Sequence, residues 1–305
     1  MRRHLARITG LAIILMVCAT TSCAQFEIPE QQPYPLPADV RQSLEGVASE
    51  CDVLLVGETH GTKEVPAVVE GLLAPLSKLG YRVLALEIPH NEQPALAAWA
   101  TGDTKVVPKF FAQPGQDGRG NQQVLALVRR ALNPPYEWKL ICFDSTDEEL
   151  LRQTRERLPK GAEGSIADVA AKMSFDDIVA ISLQRDAAMA THFGMQREKL
   201  PSQHKVVVVC GNLHARTANH APAESQLKAL WPSFAAVVKR EHPRWQLRSV
   251  NVHAFSGEYF NGGKVNKFNE RPLAKVEARS TAQGDWDWEL NLPRASVATF
   301  LAPPK

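Results

Sequence analysis

The chain has 305 residues, 44% of them hydrophobic, with 35 Lys and Arg against 33 Asp and Glu. That length and apolar content suit one α/β domain, or at most two small ones. The near balance of charge gives nucleic-acid binding no support, and beyond the N-terminus no stretch approaches the roughly 18 apolar residues of a membrane span.

In chain order, Arg2, Arg3 and Arg7 make a basic start, Leu11 to Ala19 is a short apolar core, and Thr20-Thr21-Ser22-Cys23-Ala24 supplies small residues. This is the three-part layout of a secretory signal. Residues 1–24 are therefore expected to be a signal peptide and the protein to be exported to the periplasm. Two processing routes stand: cleavage after Ala24, or modification of Cys23 as a lipidated first residue. In the second, the protein meets a membrane only through its lipid anchor. Subtracting those three Arg from 35 leaves 32 basic against 33 acidic side chains.

Residues 25–45 open on QFEIPEQQPYPLPADV, with four prolines, and read as a Pro-rich tether leading into a short helix that ends near Glu50. Residues 46–305 are expected to form a single domain. Four apolar runs with little alternation come next, Asp52–Val56, Tyr81–Leu86, Trp138–Phe143 and Lys205–Cys210, the pattern of strands buried on both faces of a parallel sheet. A fifth, Trp245–Val252, alternates more and reads as an edge or antiparallel strand. Between them lie helical stretches: Val65–Leu79 closed by Gly80, Gln122–Leu132, and Phe175–Phe193, capped by Ser174 with Asp176 and Asp177 in its first turn. Strands alternating with helices predict an α/β fold, a mainly parallel central sheet flanked by helices. The Gly- and Pro-rich stretch 102–121 reads as a long loop able to close over a site, and 256–288 as a hairpin or C-terminal β elements. Cys51, Cys142 and Cys210 read as buried free thiols, a single disulfide being the alternative.

In open α/β sheets ligands bind beyond the carboxyl ends of the strands, so the residues just past each run are informative. After the first come Gly57-Glu58-Thr59-His60; after the second, Glu87-Ile88-Pro89-His90; after the third, Asp144-Ser145; after the fourth, Gly211-Asn212-Leu213-His214; after the fifth, His253 and Ser256. Each end carries groups able to move a proton or bind a metal. A His beside carboxylates can act as a general base on water, a neighbouring Glu orients its ring, and a second His can hold an oxyanion or protonate a leaving group. The same set could hold a divalent ion. No Walker loop, GxSxG elbow or HExxH is present. Plain roles compete: Glu58 and His214 as helix caps, Glu87 as partner to an Arg, Arg185-Asp186 as a solvated pair, and His192, His204, His220 and His242 as surface residues.

Gly57-Glu58-Thr59-His60-Gly61-Thr62-Lys63-Glu64, Leu86-Glu87-Ile88-Pro89, Arg185-Asp186-Ala187-Ala188-Met189-Ala190 and Gly211-Asn212-Leu213-His214-Ala215 together resemble the ordered signatures of the erythromycin-esterase/ChaN-like superfamily. That group contains erythromycin esterases, ChaN-type haem-binding lipoproteins and TIKI/TraB proteases. Gln116-Asp117-Gly118-Arg119 leans toward the esterase branch. The resemblance spans about residues 50–220. It implies an α/β core with the site at these strand ends, and three chemistries: metal-free activation of water by His60, a divalent metal held by His60, Glu87 and His214, or haem binding.

The expected function is an exported hydrolase acting on an ester or amide of a small molecule or peptide. His60, Glu58, Glu87 and His214 would be catalytic, and Asn212, Arg185, Asp144 and His90 would contact the substrate. The alternative is a haem- or metal-binding lipoprotein of ChaN type serving iron uptake without turnover.

Overall fold

The computed structural model describes residues 28–115, 117–157, 173–218, 226–269, 273–281 and 284–303; residues 1–24, expected to be a signal peptide, lie outside them. Among these residues the first five of nine strands alternate with helices and the last four follow one another. They run α1 (Ala38–Ser49), β1 (Val53–Glu58), α2 (Glu64–Lys78), β2 (Tyr81–Pro89), α3 (Gln93–Thr101), α4 (Lys109–Ala112), α5 (Gln122–Leu132), β3 (Lys139–Asp144), α6 (Asp147–Arg157), α7 (Phe175–Arg197), β4 (Lys205–Gly211), α8 (Phe234–Glu241), β5 (Leu247–Ala254), β6 (Ser256–Asn261), β7 (Lys264–Asn269), β8 (Glu277–Ser280) and β9 (Trp288–Leu292). Seven strands form the central sheet in the order β3-β2-β4-β1-β5-β9-β8. All neighbours in it are parallel except β8, which pairs antiparallel with β9 at one edge.

Successive residues of each inner strand feed opposite layers. Leu54, Val56, Leu84, Leu86, Val207 and Val209 pack with α1, α2, α3 and α5. Val53, Leu55, Val83, Ala85, Val206 and Val208 pack with α7 and α8, around a Phe143–Phe193–Phe234 cluster. Burial on both faces is why these runs do not alternate. β5 departs from the sequence expectation: it runs parallel inside the sheet, between β1 and β9. Its alternation comes from Arg248, whose guanidinium reaches out to Asp287 and Glu50. Residues 256–292 supply both expected features, the β6–β7 hairpin and the C-terminal strands β8 and β9, of which β8 forms the sheet edge. The Pro-rich stretch is extended but lies against the body, where Tyr34 N donates to Ala67 O at 3.0 Å, Leu36 is buried, and α1 already begins at Ala38. Cys51, Cys142 and Cys210 are free and buried.

A crossing of three backbones fixes the loops above the sheet. Gly61 (φ 74°) and Gly118 (φ 82°) are left-handed, and a Cβ on either would run into the carbonyl of Phe260 on β6. Gly61 O accepts from Phe260 N (3.2 Å) and from Ala298 N (2.8 Å), while Lys63 N donates to Ser296 O and Gln122 N to Thr299 O. A C-terminal strap thereby ties the turn after β1 to the start of α5. Gly61→Ala or Gly118→Ala is expected to cost at least about 2 kcal/mol, from a strained φ plus a steric clash. Urea denaturation checks this; a loss below about 0.5 kcal/mol would show that the crossing is not rigid.

Candidate active site

Four adjacent strands, β3, β2, β4 and β1, end side by side and present Asp144, Glu87, Gly211 and Glu58. Glu87 is the hub, with its side chain 2% exposed. Its Oε1 accepts from Arg185 Nη2 (2.6 Å) and Arg119 Nη1 (3.2 Å), and its Oε2 accepts from Gly211 N (2.7 Å). The same guanidiniums grip Asp144: Arg185 through Nε (2.8 Å) and Nη2 (2.7 Å), Arg119 through Nη1 (2.5 Å). Arg119 is held on its far side by Asp117 and also donates to Glu87 O.

Two imidazoles flank this hub. His60, in the turn after β1, places Nδ1 2.9 Å from Glu58 Oε1 and Nε2 3.7 Å from Glu87 Oε2. His214, after β4, places Nδ1 2.5 Å from Asp186 Oδ1 and Nε2 3.6 Å from Glu87 Oε1. A Cβ on Gly211 would press on both rings, so only glycine lets them come this close over the strand end. Each ring is therefore oriented by a carboxylate on Nδ1, and its Nε2 stands just beyond hydrogen-bond distance of Glu87, open to a water or a substrate atom. The two rings are 14% and 16% exposed.

The charges set the protonation. Burial disfavours the charged forms of Glu87 and Asp144. It is outweighed at Glu87 by His214, Arg119, Arg185 and His60, which hold the carboxyl well below its usual range, and at Asp144 by Arg185 and Arg119, which also lower it. At Asp117 desolvation again opposes the charge, but Arg119 above all brings the carboxyl down to about 2. Burial likewise opposes a charge on His60, but Glu87 and Glu58 prevail and raise the imidazole above 6.5.

Of the residues expected from the sequence, His60, Glu58, Glu87, His214, Asp144 and Arg185 are brought together. Asn212 is adjacent: its N donates to Glu58 O and its O accepts from Trp286 Nε1. His90 joins Glu149 and His192 instead, with His90 Nε2 3.3 Å from Glu149 Oε2 and His192 Nε2 3.7 Å from Glu149 Oε1. His253 lies within β5, edge-on to Phe255 and Phe268. Two participants have no role assigned from the sequence. Arg119 sits in a Gly-rich loop with no periodicity to mark it. Asp186 does carry a signal, because it shares helical spacing with the buried Met189, Ala190 and Phe193 and so faces inward.

The chain shares its fold with an erythromycin esterase. The structure of a mutant of the esterase EreC in its open conformation matches at TM-score 0.53 and 10% identity, covering 88% of this chain and 81% of that one. A succinoglycan biosynthesis protein matches at TM-score 0.58 and 11% identity over 88% of this chain and 94% of its own. ChaN of Campylobacter jejuni, solved with cofacially bound haem, matches at TM-score 0.46 and 14% identity over 82% and 90%. No family model matches the sequence, and no curated protein sequence does. The likeness expected from the motifs is present at the level of fold.

Arg119→Met is expected to destabilise the protein by about 1.5–3 kcal/mol at neutral pH, because it takes one of two guanidiniums from a pair of buried carboxylates and leaves Arg185 to hold both. Since the folded-state pKa values of Glu87 and Asp144 are depressed, their contribution is present above the usual carboxylate range and is lost as pH falls through the folded values. The deficit of Arg119→Met should therefore shrink in acid as those groups take up protons. Denaturation at a series of pH values checks both statements; a deficit independent of pH would contradict the pairing.

Proposed function

We propose that the chain is an exported hydrolase that activates water for attack on an ester or amide, without a resident metal. The observation carrying this reading is the symmetry about Glu87, where two imidazoles, each held by a carboxylate at Nδ1, turn Nε2 toward one buried carboxylate. His60, kept in one tautomer by Glu58, takes the proton from water. His214, held by Asp186, stabilises the developing oxyanion or protonates the leaving group. Glu87 orients the water between them, and Arg119 and Arg185 keep Glu87 ionised and fixed. Asn212 and Arg185 border the substrate, a small molecule or a peptide, while Asp144, fully buried, acts only by holding Arg119 and Arg185. The shared fold with an esterase supports this reading.

The donor set His60, Glu87 and His214 does not suit a divalent ion. Both Glu87 oxygens already accept strong hydrogen bonds, and two guanidiniums beside them would repel added positive charge. The haem-binding alternative would have to use Nε2 of His60 or His214, and both are turned onto the buried carboxylate of Glu87 at 3.7 and 3.6 Å. Tyrosine is another side chain that could ligate haem iron. Of the chain's four, Tyr81 is fully buried with its hydroxyl donating to Ala48 O.

A panel of esters and peptides, assayed with the purified protein, tests the reading. His60→Ala should lower kcat/KM by about 10²–10⁴-fold, and full retention of activity would sink the mechanism. A base must be neutral to act, so kcat/KM should rise with pH through a midpoint above 6.5, the raised value of His60. Glu58→Gln should move that midpoint down, because a carboxylate that favours the imidazolium is gone. An absence of turnover, together with a Soret band on haem titration, would select the alternative.

A further inference from the structure

The segments that build the Glu87 network carry a second group of donors slightly further along. His90 opens the turn after β2, Glu149 lies in the first turn of α6, and His192 is two turns beyond Arg185 on α7. One donor atom from each lies within 4.8 Å of the others. His90 Nε2 and His192 Nε2 stand 3.3 and 3.7 Å from the two oxygens of Glu149. Bonds of about 2.0–2.1 Å at tetrahedral angles would place neighbouring ligand atoms roughly 3.3 Å apart, so the trio is spaced for a small ion with little adjustment.

Two further observations favour an ion over a plain ion pair. His90 Nε2 is buried and has no hydrogen-bond partner among the described residues, although a carboxylate oxygen is near. The two rings pack against each other, 4.2 Å apart between centroids and inclined at 54°, which holds both beside the same carboxylate. Glu149 is also aimed in advance. Its Oε2 accepts from Thr146 N (2.8 Å) while its own N donates to Thr146 Oγ1 (3.2 Å), a reciprocal cap that fixes the carboxylate at the start of α6.

We infer that His90, Glu149 and His192 form a binding site for a divalent transition-metal ion of the Zn²⁺ class, with water completing the coordination. Two imidazoles and one carboxylate select against Mg²⁺ and Ca²⁺, which require oxygen ligands. Among the described residues no guanidinium pairs with the trio, in contrast to Glu87. The bound ion would clamp β2, α6 and α7 beside the network, and its binding neither requires nor excludes hydrolysis at His60.

The test uses tag-free protein stripped with a chelator, titrated with Zn²⁺ by calorimetry and with Co²⁺ by visible absorption. The expected result is one equivalent bound, with ligand-field bands of a nitrogen- and oxygen-ligated Co²⁺ and a higher Tm in the metal-loaded state. Glu149→Gln, which keeps an oxygen to cap α6 and so spares the fold, and His192→Ala should each weaken binding at least about tenfold. His60→Ala should leave metal affinity unchanged. The inference is overturned if the wild type binds no stoichiometric Zn²⁺. It is equally overturned if Glu149→Gln and His192→Ala bind as the wild type does, or if His60→Ala abolishes binding, which would move the ion to the other site.

Discussion

Burying the carboxylate of Glu87 at the end of β2 would cost several kcal/mol if its oxygens lacked donors. Arg119, Arg185 and the N–H of Gly211 meet that requirement, and each comes from a different segment. The position of one acid thus fixes the 102–121 loop, the face that α7 turns inward and the end of β4. Asp144 shares both guanidiniums, so β3 is tied into the same arrangement. His60 and His214 approach the remaining directions, and at His60 the carboxylates of Glu87 and Glu58 favour the protonated ring.

The fold is legible in the sequence where burial is complete on both faces. Val53 to Val56, Val83 to Leu86 and Val206 to Val209 are apolar without alternation because helices cover both sides of the sheet. It is misleading where a strand's amino end is open to solvent, as at Arg248, and hard to see in β9, where Glu289 and Asn291 interrupt the apolar residues. In the site, residues directly after strands can be placed from topology alone, as Glu58, Glu87, Asp144 and His214 were. Arg119 cannot, because its position depends on a left-handed glycine turn lodged under the carbonyl of Phe260, far along the chain in β6. His90 is assigned by the same strand-end logic but turns toward α6 and α7, since the chain bends into a short helical turn at that residue.

The two His-containing groups share their supporting segments yet differ in charge. Around Glu87 the positive partners are permanent guanidiniums, which keep carboxylates ionised and compete with any added cation. Around Glu149 the partners are imidazoles with lone pairs to offer. β2, the segment from β3 into α6, and α7 therefore carry carboxylates clamped by guanidiniums at one level and imidazoles with free lone pairs slightly further along.

The strap from Ala295 to Phe300 is held by backbone contacts to Gly61, Lys63, Gln122 and Gly257 and by the side chains of Glu64, Gln122 and Gln123, all formed across long sequence separations. Every ionisable group of the network precedes it in the chain. A growing polypeptide would already contain His60, Glu87, Arg119, Asp144, Arg185 and His214 while the turn carrying His60 still lacked its fastener. Contacts so distant in sequence are among the slowest to form, so the turn that carries His60 is fastened only once this strap has packed against it.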